Sequence, residues 1–311
     1  MCSNMRNRKR KISRVLIACL ALLSLASGTP TTAAEPCLVF VSIAPQAHFV
    51  KAIGEAHVDV SVMVKPEKSP ASYEPSPKQM VRLAKADIYF AIGVPFESAW
   101  LERFASTNPD MPIIHTEAGI EKKTVNRHGG KDKAAQVHGP GHTQGHGTEG
   151  IKDPHIWLSP PLVMLQARSI AAGLREVDPE HTGDYEKNYQ TFINQVAALD
   201  IRLMKKLTPV ANTRFMVFHP SWGYFADAYR LEQIPIEIEG KAPKARDVKE
   251  LIQTARAQNI RTIFVQPQFS TKQAQIIARE IGGRTVTADP LAMDWAKNLE
   301  ALADVIQHEA R

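Results

Sequence analysis

The sequence predicts an α/β protein of two lobes, each a parallel-type β-sheet flanked by helices, joined by one long linker helix. In both halves of the chain, short apolar runs alternate with segments of helical spacing, a pattern typical of parallel sheets built from βαβ units. Between the halves, one uninterrupted apolar stripe indicates a helix longer than a single small domain needs. A glycine- and histidine-rich tract without hydrophobic period interrupts the first half and predicts a mobile loop.

The first half contains four short apolar runs that predict strands and two segments that predict helices. The strands are expected at 38–43, 58–64, 87–93 and 112–115, and the helices at 78–86 and 96–104. After the loop, Ser159 and Pro160 predict a helix start, with the serine hydroxyl as cap, and this helix runs to about Val177.

The linker helix is predicted from Pro179 to Thr208. Its apolar residues recur at spacings of 4, 3, 4, 3 and 4, which places them on one face: Tyr185, Tyr189, Phe192, Val196, Leu199 and Leu203. About thirty residues at 1.5 Å each give roughly 40–45 Å. We interpret it as a strut between two lobes; an ordinary long core helix is the alternative.

The alternation resumes in the second half. Strands are expected at 215–218, 234–238, 260–266 and 284–288, with helices around 248–255, 271–281 and 294–309. The predicted organisation is therefore a signal peptide at 1–34, a first lobe at 35–178 with the loop at about 121–152, the linker at 179–208 and a second lobe at 209–311.

Residues 1–34 have the pattern of a secretory signal: a basic head, a short apolar run and small residues around Ala33 and Ala34. The chain has 38 Lys+Arg and 32 Asp+Glu, and residues 1–34 hold six of the basic residues and no acid. The remaining chain is therefore near neutral, which gives no support for nucleic-acid binding. We expect a soluble secreted protein in which Cys37 is the one remaining cysteine, without an internal disulfide.

Three potential metal ligands lie where a parallel α/β fold places ligand sites, beyond the carboxyl ends of strands. His219 directly follows one predicted strand, Asp289 follows another, and His155 opens the ordered segment after the loop. Two imidazoles and a carboxylate suit zinc, and less well manganese or iron. No local motif joins these residues, so the fold has to bring them together.

Four further histidines, His128, His138, His142 and His146, lie in the loop tract. They predict either a loose metal-collecting segment or a solvated spacer, and the residues do not distinguish the two.

Common enzyme motifs are missing: the sequence has no H-E-x-x-H, G-x-S-x-G, P-loop or dinucleotide glycine fingerprint. This argues against the usual metalloprotease, hydrolase and nucleotide-binding functions. A zinc hydrolase with an open coordination position is the enzyme alternative, with Glu74 or Glu239 as general base. We expect no enzyme.

The stretches "SPASYEPSPKQMVRLAKADIYFAIG", "DPHIWLSP", "FMVFHPSWGYFADAYRLEQIPIE", "IFVQPQFSTKQAQIIAREIGG" and "TADPL" run through most of the chain. With the histidine-rich loop and the linker helix, they resemble the metal-binding periplasmic proteins of ABC importers, the ZnuA/TroA-like or cluster A-I family. The resemblance implies two α/β lobes joined by a rigid helix, with the metal in the cleft between the lobes.

The resemblance also implies a ligand set. His155 matches the ligand in "DPH", Asp289 matches the carboxylate of "DPL", and His219 matches the histidine that marks zinc importers, where manganese relatives often have glutamate. The first ligand is missing, because Ala71 stands where relatives have histidine, and a methyl group cannot coordinate. A neighbour (His48 or Gln46), a loop histidine or water is expected to replace it, unless the site has changed its cargo.

The resemblance implies a zinc-binding subunit that delivers its ion to a membrane permease driven by a separate ATPase. Manganese, iron, a chelated metal or a small solute are the alternatives for the cargo. Some relatives bind host surfaces, which makes an adhesin a further alternative. We expect a monomer.

Overall fold

The computed structural model describes residues 35–65, 67–124, 152–237 and 241–310. The chain forms two four-stranded, wholly parallel sheets, each flanked by helices, with a long helix between them in sequence. The predicted two-lobe α/β fold is therefore confirmed. No helix in the described ranges combines the length and the apolar character that crossing a membrane requires.

The first lobe has the strand order β2-β1-β3-β4. The edge strands β2 and β4 are only partly buried, whereas all four residues of the central strand β3 are buried, as expected for a parallel strand covered on both faces. In chain order its elements are β1 (Cys37–Val41), α1 (Ala44–Gly54), β2 (Val58–Val62), α2 (Pro77–Leu83), β3 (Ile88–Ala91), α3 (Glu97–Thr107), β4 (Ile113–His115) and α4 (Pro160–Val177).

Helix α5 (Thr182–Leu207) is the predicted linker, and it is 26 residues long. Its predicted stripe is buried except for Tyr189, which is half-buried. A one-turn 3-10 segment flanks it on each side, at Pro179–His181 and Thr208–Val210. The helix packs on α1 and α4 of the first lobe and on the last helix of the second lobe, so it connects both.

The second lobe repeats the topology of the first, with the strand order β6-β5-β7-β8. This correspondence exists in the fold although no sequence repeat is visible. In chain order its elements are β5 (Arg214–Val217), α6 (Gly223–Ala228), β6 (Glu232–Pro235), α7 (Ala245–Ala257), β7 (Thr262–Val265), α8 (Lys272–Glu280), β8 (Arg284–Thr287) and α9 (Trp295–Glu309).

Three helices differ from the sequence prediction. Helix α4 begins at Pro160 as predicted, but the Ser159 hydroxyl makes no capping hydrogen bond, so the predicted cap is wrong. Pro161 at the second helical position lacks one of the backbone N–H groups that a cap would satisfy. The sequence prediction gives no bounds for helices α1 and α6; α6 has six residues, too few to show a period.

Two buried tryptophans join the lobes. The indole Nε1 of Trp157 donates to the Pro290 carbonyl at 2.7 Å, and Nε1 of Trp295 donates to the Trp157 carbonyl at 2.7 Å. The Trp295 ring also packs edge-on against Phe49 of α1, with centroids 5.2 Å apart. One apolar core therefore continues from the first lobe through α5 to α9, and a smaller second core lies around β7 and α8.

Candidate metal site

His155 is held in one orientation by its own local turn. Its ring Nδ1 lies 2.6 Å from Asp153 Oδ1, and its backbone N–H donates to the same oxygen at 3.0 Å. An ionised carboxylate only accepts, so Nδ1 carries the proton and the Nε2 lone pair is left for a cation. Nε2 makes no hydrogen bond with any residue in the described ranges.

His219 is held in the same way from the second lobe. Its Nδ1 lies 3.1 Å from both carboxylate oxygens of the buried Glu237. The Gln266 side chain fixes the backbone of His219: its Oε1 accepts from the His219 N–H, and its Nε2 donates to the His219 carbonyl. The ring stacks on Phe269 at 4.6 Å between centroids. Its Nε2 is again the ring nitrogen left for a cation.

The two imidazoles meet across the lobes. Their ring centroids are 5.5 Å apart and their planes are inclined by 72°. A tetrahedral ion bonded to two imidazole nitrogens at about 2.0–2.1 Å places the two ring centres about 5 Å apart. The fold has therefore brought two histidines that are distant in sequence to a spacing that fits one zinc ion.

Asp289 lies beyond the end of β8, as predicted. Its Oδ1 accepts hydrogen bonds from Gln268 Nε2 at 2.8 Å and from the Leu291 N–H at 2.9 Å, which leaves Oδ2 to face a cation. Among the described residues, no three His, Cys, Asp or Glu side chains are close enough to hold one ion. The structure thus brings His155 and His219 together but does not bring Asp289 to within binding distance of the same point.

The second-lobe residues share one origin in the fold. His219, Glu237, Gln266 and Asp289 follow β5, β6, β7 and β8 respectively, so all come from the carboxyl edge of the second sheet. Parallel strands end at the same edge, and polar side chains beyond those ends converge.

The proposed substitutes for the missing first ligand have other contacts. Ala71 is exposed, and its N–H donates to Ser69 Oγ at 3.2 Å. Gln46 is fully buried: its Oε1 accepts from two backbone N–H groups, and its Nε2 donates to the Phe90 and Ala91 carbonyls and to Thr116. These bonds connect α1 to the ends of β3 and β4, so Gln46 has a structural role here.

His48 packs among aromatic rings, with centroids 6.3 Å from Phe192 and 6.5 Å from Trp295. Burial lowers the pKa of this imidazole, and the nearby Asp294 charge only partly opposes the shift. The ring is therefore held neutral in an aromatic cluster. The structure does not pair it with His155 or His219.

Of the remaining predicted residues, the structure describes only Glu74. Glu74 is exposed, and Glu239 lies outside the described residues, as do the loop histidines His128, His138, His142 and His146.

Cys37, the cysteine that remains after the predicted signal, is partly buried. Burial is the largest cause that raises the pKa of its thiol to about 12, and the charges of Asp87 and Asp178 add to the shift.

Comparison with known proteins identifies the family. The family model described as "ZnuA: Zinc-uptake complex component A periplasmic" matches residues 39–309. The chain belongs to the ZnuA family. It is 26% identical to the high-affinity zinc uptake system protein ZnuA of Bacillus subtilis (strain 168), covering 89% of this chain and 87% of that protein. It is 25% identical to the iron-binding protein YfeA of Yersinia pestis, covering 85% and 80%.

A solved structure supports the same assignment. A crystal structure of ZnuA superposes with a TM-score of 0.80 at 39% identity, covering 89% of this chain and all of that one. Members of the ZnuA family are periplasmic metal-binding components of uptake systems, and nothing in the family points to catalysis. The resemblance noted in the sequence is confirmed.

Proposed function

We propose that the chain captures a zinc ion between its two lobes and delivers it to an ABC permease served by a separate ATPase. His155 and His219 bind through Nε2, and Asp289 approaches as the third ligand when the ion is present. The observation that carries the proposal is the pair of facing imidazoles, each with Nδ1 on a carboxylate. Carboxylate-oriented histidines are a recurrent arrangement around protein-bound metals.

Zinc is favoured over the other metals by the ligand types. Two imidazoles and one carboxylate are a common zinc set, whereas manganese prefers more oxygen ligands. The likeness to a zinc uptake protein supports zinc, and the likeness to an iron-binding protein keeps iron as the second candidate. Affinity should fall in acid because protons compete with the ion for the imidazoles.

The first ligand position, where Ala71 stands, is filled in this proposal by water or by a histidine from the loop. Gln46 and His48 are the weaker candidates. The amide oxygen and nitrogen of Gln46 both already form hydrogen bonds, with backbone groups and with Thr116, and the His48 ring packs among aromatic rings. A chelated metal is the alternative cargo, since an alanine leaves room for a non-protein ligand.

Residues 1–34 act as the signal that exports the chain to the periplasm, where it works as a monomer.

Elemental analysis tests the proposal. Metal content is measured in protein purified from periplasm, for the wild type and for His155→Ala, His219→Ala and Asp289→Ala. We expect about one zinc per wild-type chain and clear loss in each variant. His181→Ala is the matched control, because His181 also pairs with a carboxylate, Asp178, but on the α5 side of the first lobe. Equal zinc in all five proteins would overturn the assigned site.

Removing residues 128–148 tests the loop. If these residues collect metal, deletion reduces binding beyond the first equivalent and slows loading of the cleft, while one tightly bound ion remains. Zinc titration and stopped-flow loading measure the two effects. Unchanged stoichiometry and unchanged loading rate would make the segment a spacer.

A further inference from the structure

Tyr224 connects the second lobe to the segment that carries His155. It lies in α6 and is 4% exposed. Its hydroxyl accepts a hydrogen bond from the Lys123 N–H at 2.9 Å and donates one to the Asp153 carbonyl at 3.0 Å. The Asp153 N–H in turn donates to the Lys123 carbonyl at 2.8 Å. These three hydrogen bonds form a closed ring between one phenol and two backbone segments of the first lobe.

The same contact reaches the carboxylate that orients the metal ligand. Asp153 Oδ1 holds both the ring Nδ1 and the backbone N–H of His155. Gly223, the residue before Tyr224, lies so close that an added Cβ would be 3.2 Å from Asp153 Oδ2. Helix α6 therefore contacts the Asp153 backbone through Tyr224, and at Gly223 it leaves no free space beside the Asp153 side chain.

A cation strengthens the contact at its outer edge. Lys123 Nζ pairs with the Asp227 carboxylate and lies 5.3 Å from the centre of the Tyr224 ring. Asp227 and Tyr224 lie on α6 and Lys123 on the first lobe. The Lys123–Asp227 pair, the Lys123–Tyr224 ring contact and both hydrogen bonds of the Tyr224 hydroxyl are therefore broken when the lobes separate at this seam.

We propose that Tyr224 is a positioning residue for metal capture, which makes the orientation of His155 depend on contact between the lobes. With the lobes apposed, Asp153 is fixed and His155 presents Nε2 to the ion. With α6 moved away, Asp153 and His155 lose their support and the ion is released more easily. The inference rests on the proposed metal-binding function of His155.

Tyr224→Phe removes the hydroxyl and keeps the ring. In the metal-free protein, we expect amide hydrogen exchange at Asp153 and His155 to become about fivefold faster or more. We expect the ring ¹⁵N signals of His155 to change from the Nδ1-protonated tautomer to a mixture, an effect that loss of general stability would not cause. Zinc affinity should fall by about three- to tenfold, somewhat less than for direct partners of a ligand.

Tyr229→Phe is the matched control, because Tyr229 directly follows the same helix and its buried hydroxyl donates to Asp200 of α5 at 2.8 Å. Gly223→Ala is the second variant, since its methyl would lie 3.0 Å from Gln233 Nε2 and 3.2 Å from Asp153 Oδ2 and leaves the Tyr224 hydroxyl in place; it too should weaken zinc binding. Wild-type exchange, tautomer and affinity in both Tyr224→Phe and Gly223→Ala would overturn the proposal. If the wild type binds no zinc, the proposed function fails, while the exchange and tautomer measurements still decide whether Tyr224 positions His155.

Discussion

At the scale of single residues, the site depends on carboxylates that do not themselves bind the ion. Asp153 and Glu237 each accept from an imidazole Nδ1 and so fix which nitrogen faces the cation. Loss of such a partner releases the ring to rotate and to exchange tautomers, and it lowers the basicity of the ligand nitrogen.

Asp153→Asn should therefore weaken zinc binding by about 10- to 100-fold with little change in the fold. A competition titration against a chelator measures the affinity. Asp184→Asn is the control, because Asp184 is also a carboxylate paired with an imidazole, His57 Nε2 at 3.0 Å, but it lies exposed on the first turn of α5. Wild-type affinity in Asp153→Asn would show that the carboxylate does not orient the ligand.

The sequence predicts the ligand candidates better than their partners. His219 and Asp289 follow strands, and that position alone selects them. Glu237 follows a strand by the same rule, but the predicted strand at 234–238 hides it, because β6 ends at Pro235. Asp153 lies two residues before His155 and is visible in "DPH", yet nothing in a sequence says that its carboxylate turns back onto the ring.

At the scale of elements, α5 starts on a cluster of polar groups. Asp178 accepts hydrogen bonds from the Tyr185 hydroxyl at 2.5 Å and from His181 Nδ1 at 2.7 Å, and His57 stacks on His181 with centroids 3.8 Å apart. Burial alone would raise the pKa of Asp178, but these hydrogen bonds and the imidazole charges outweigh it, so the pKa is lowered.

Asp178→Asn should cost about 1–3 kcal/mol in free energy of unfolding at pH 7. A lowered folded-state pKa gives stability that is complete above the unfolded value of about 3.9 and is lost as the pH falls through the folded value. The difference from the wild type should therefore shrink below pH 4, as urea denaturation at pH 7, 5 and 3 would measure.

The exposed Asp110, changed to asparagine, serves as the control and should leave the free energy of unfolding nearly unchanged at every pH. An Asp178→Asn deficit of the same size at pH 3 and pH 7 would rule out the ionised carboxylate as its cause.

Among the elements, α5 is the one that sequence predicts most directly, because an apolar stripe that recurs at helical spacing over most of its length fits neither a strand nor a loop. Helix α1 is the opposite case. It begins at Ala44, only three residues after β1 ends, and the sequence prediction assigns no helix between the strands at 38–43 and 58–64.

At the scale of the whole molecule, the lobes are joined at two kinds of contact. The tryptophan contacts and the α5 core are apolar and buried, and they keep the lobes from moving freely. The contact between α6 and Asp153 is polar and lies beside the ligand, and the Tyr224 ring that makes it belongs to the same apolar core.

The two-lobe plan is predictable because the αβ alternation occurs twice. The seam is not, since Trp157, Trp295 and Tyr224 meet their partners only after both lobes have folded. Their hydrogen bonds join residues 71 to 138 positions apart, and no local pattern encodes such a pairing.

A crystal structure of the zinc-loaded protein, with data collected at the zinc absorption edge, tests the central claim most directly. The predicted result is one ion between the lobes, bonded to Nε2 of His155 and Nε2 of His219 at about 2.0–2.1 Å, with Asp289 drawn in as a further ligand. An ion bound elsewhere, or held through Nδ1 of either histidine, would contradict the account.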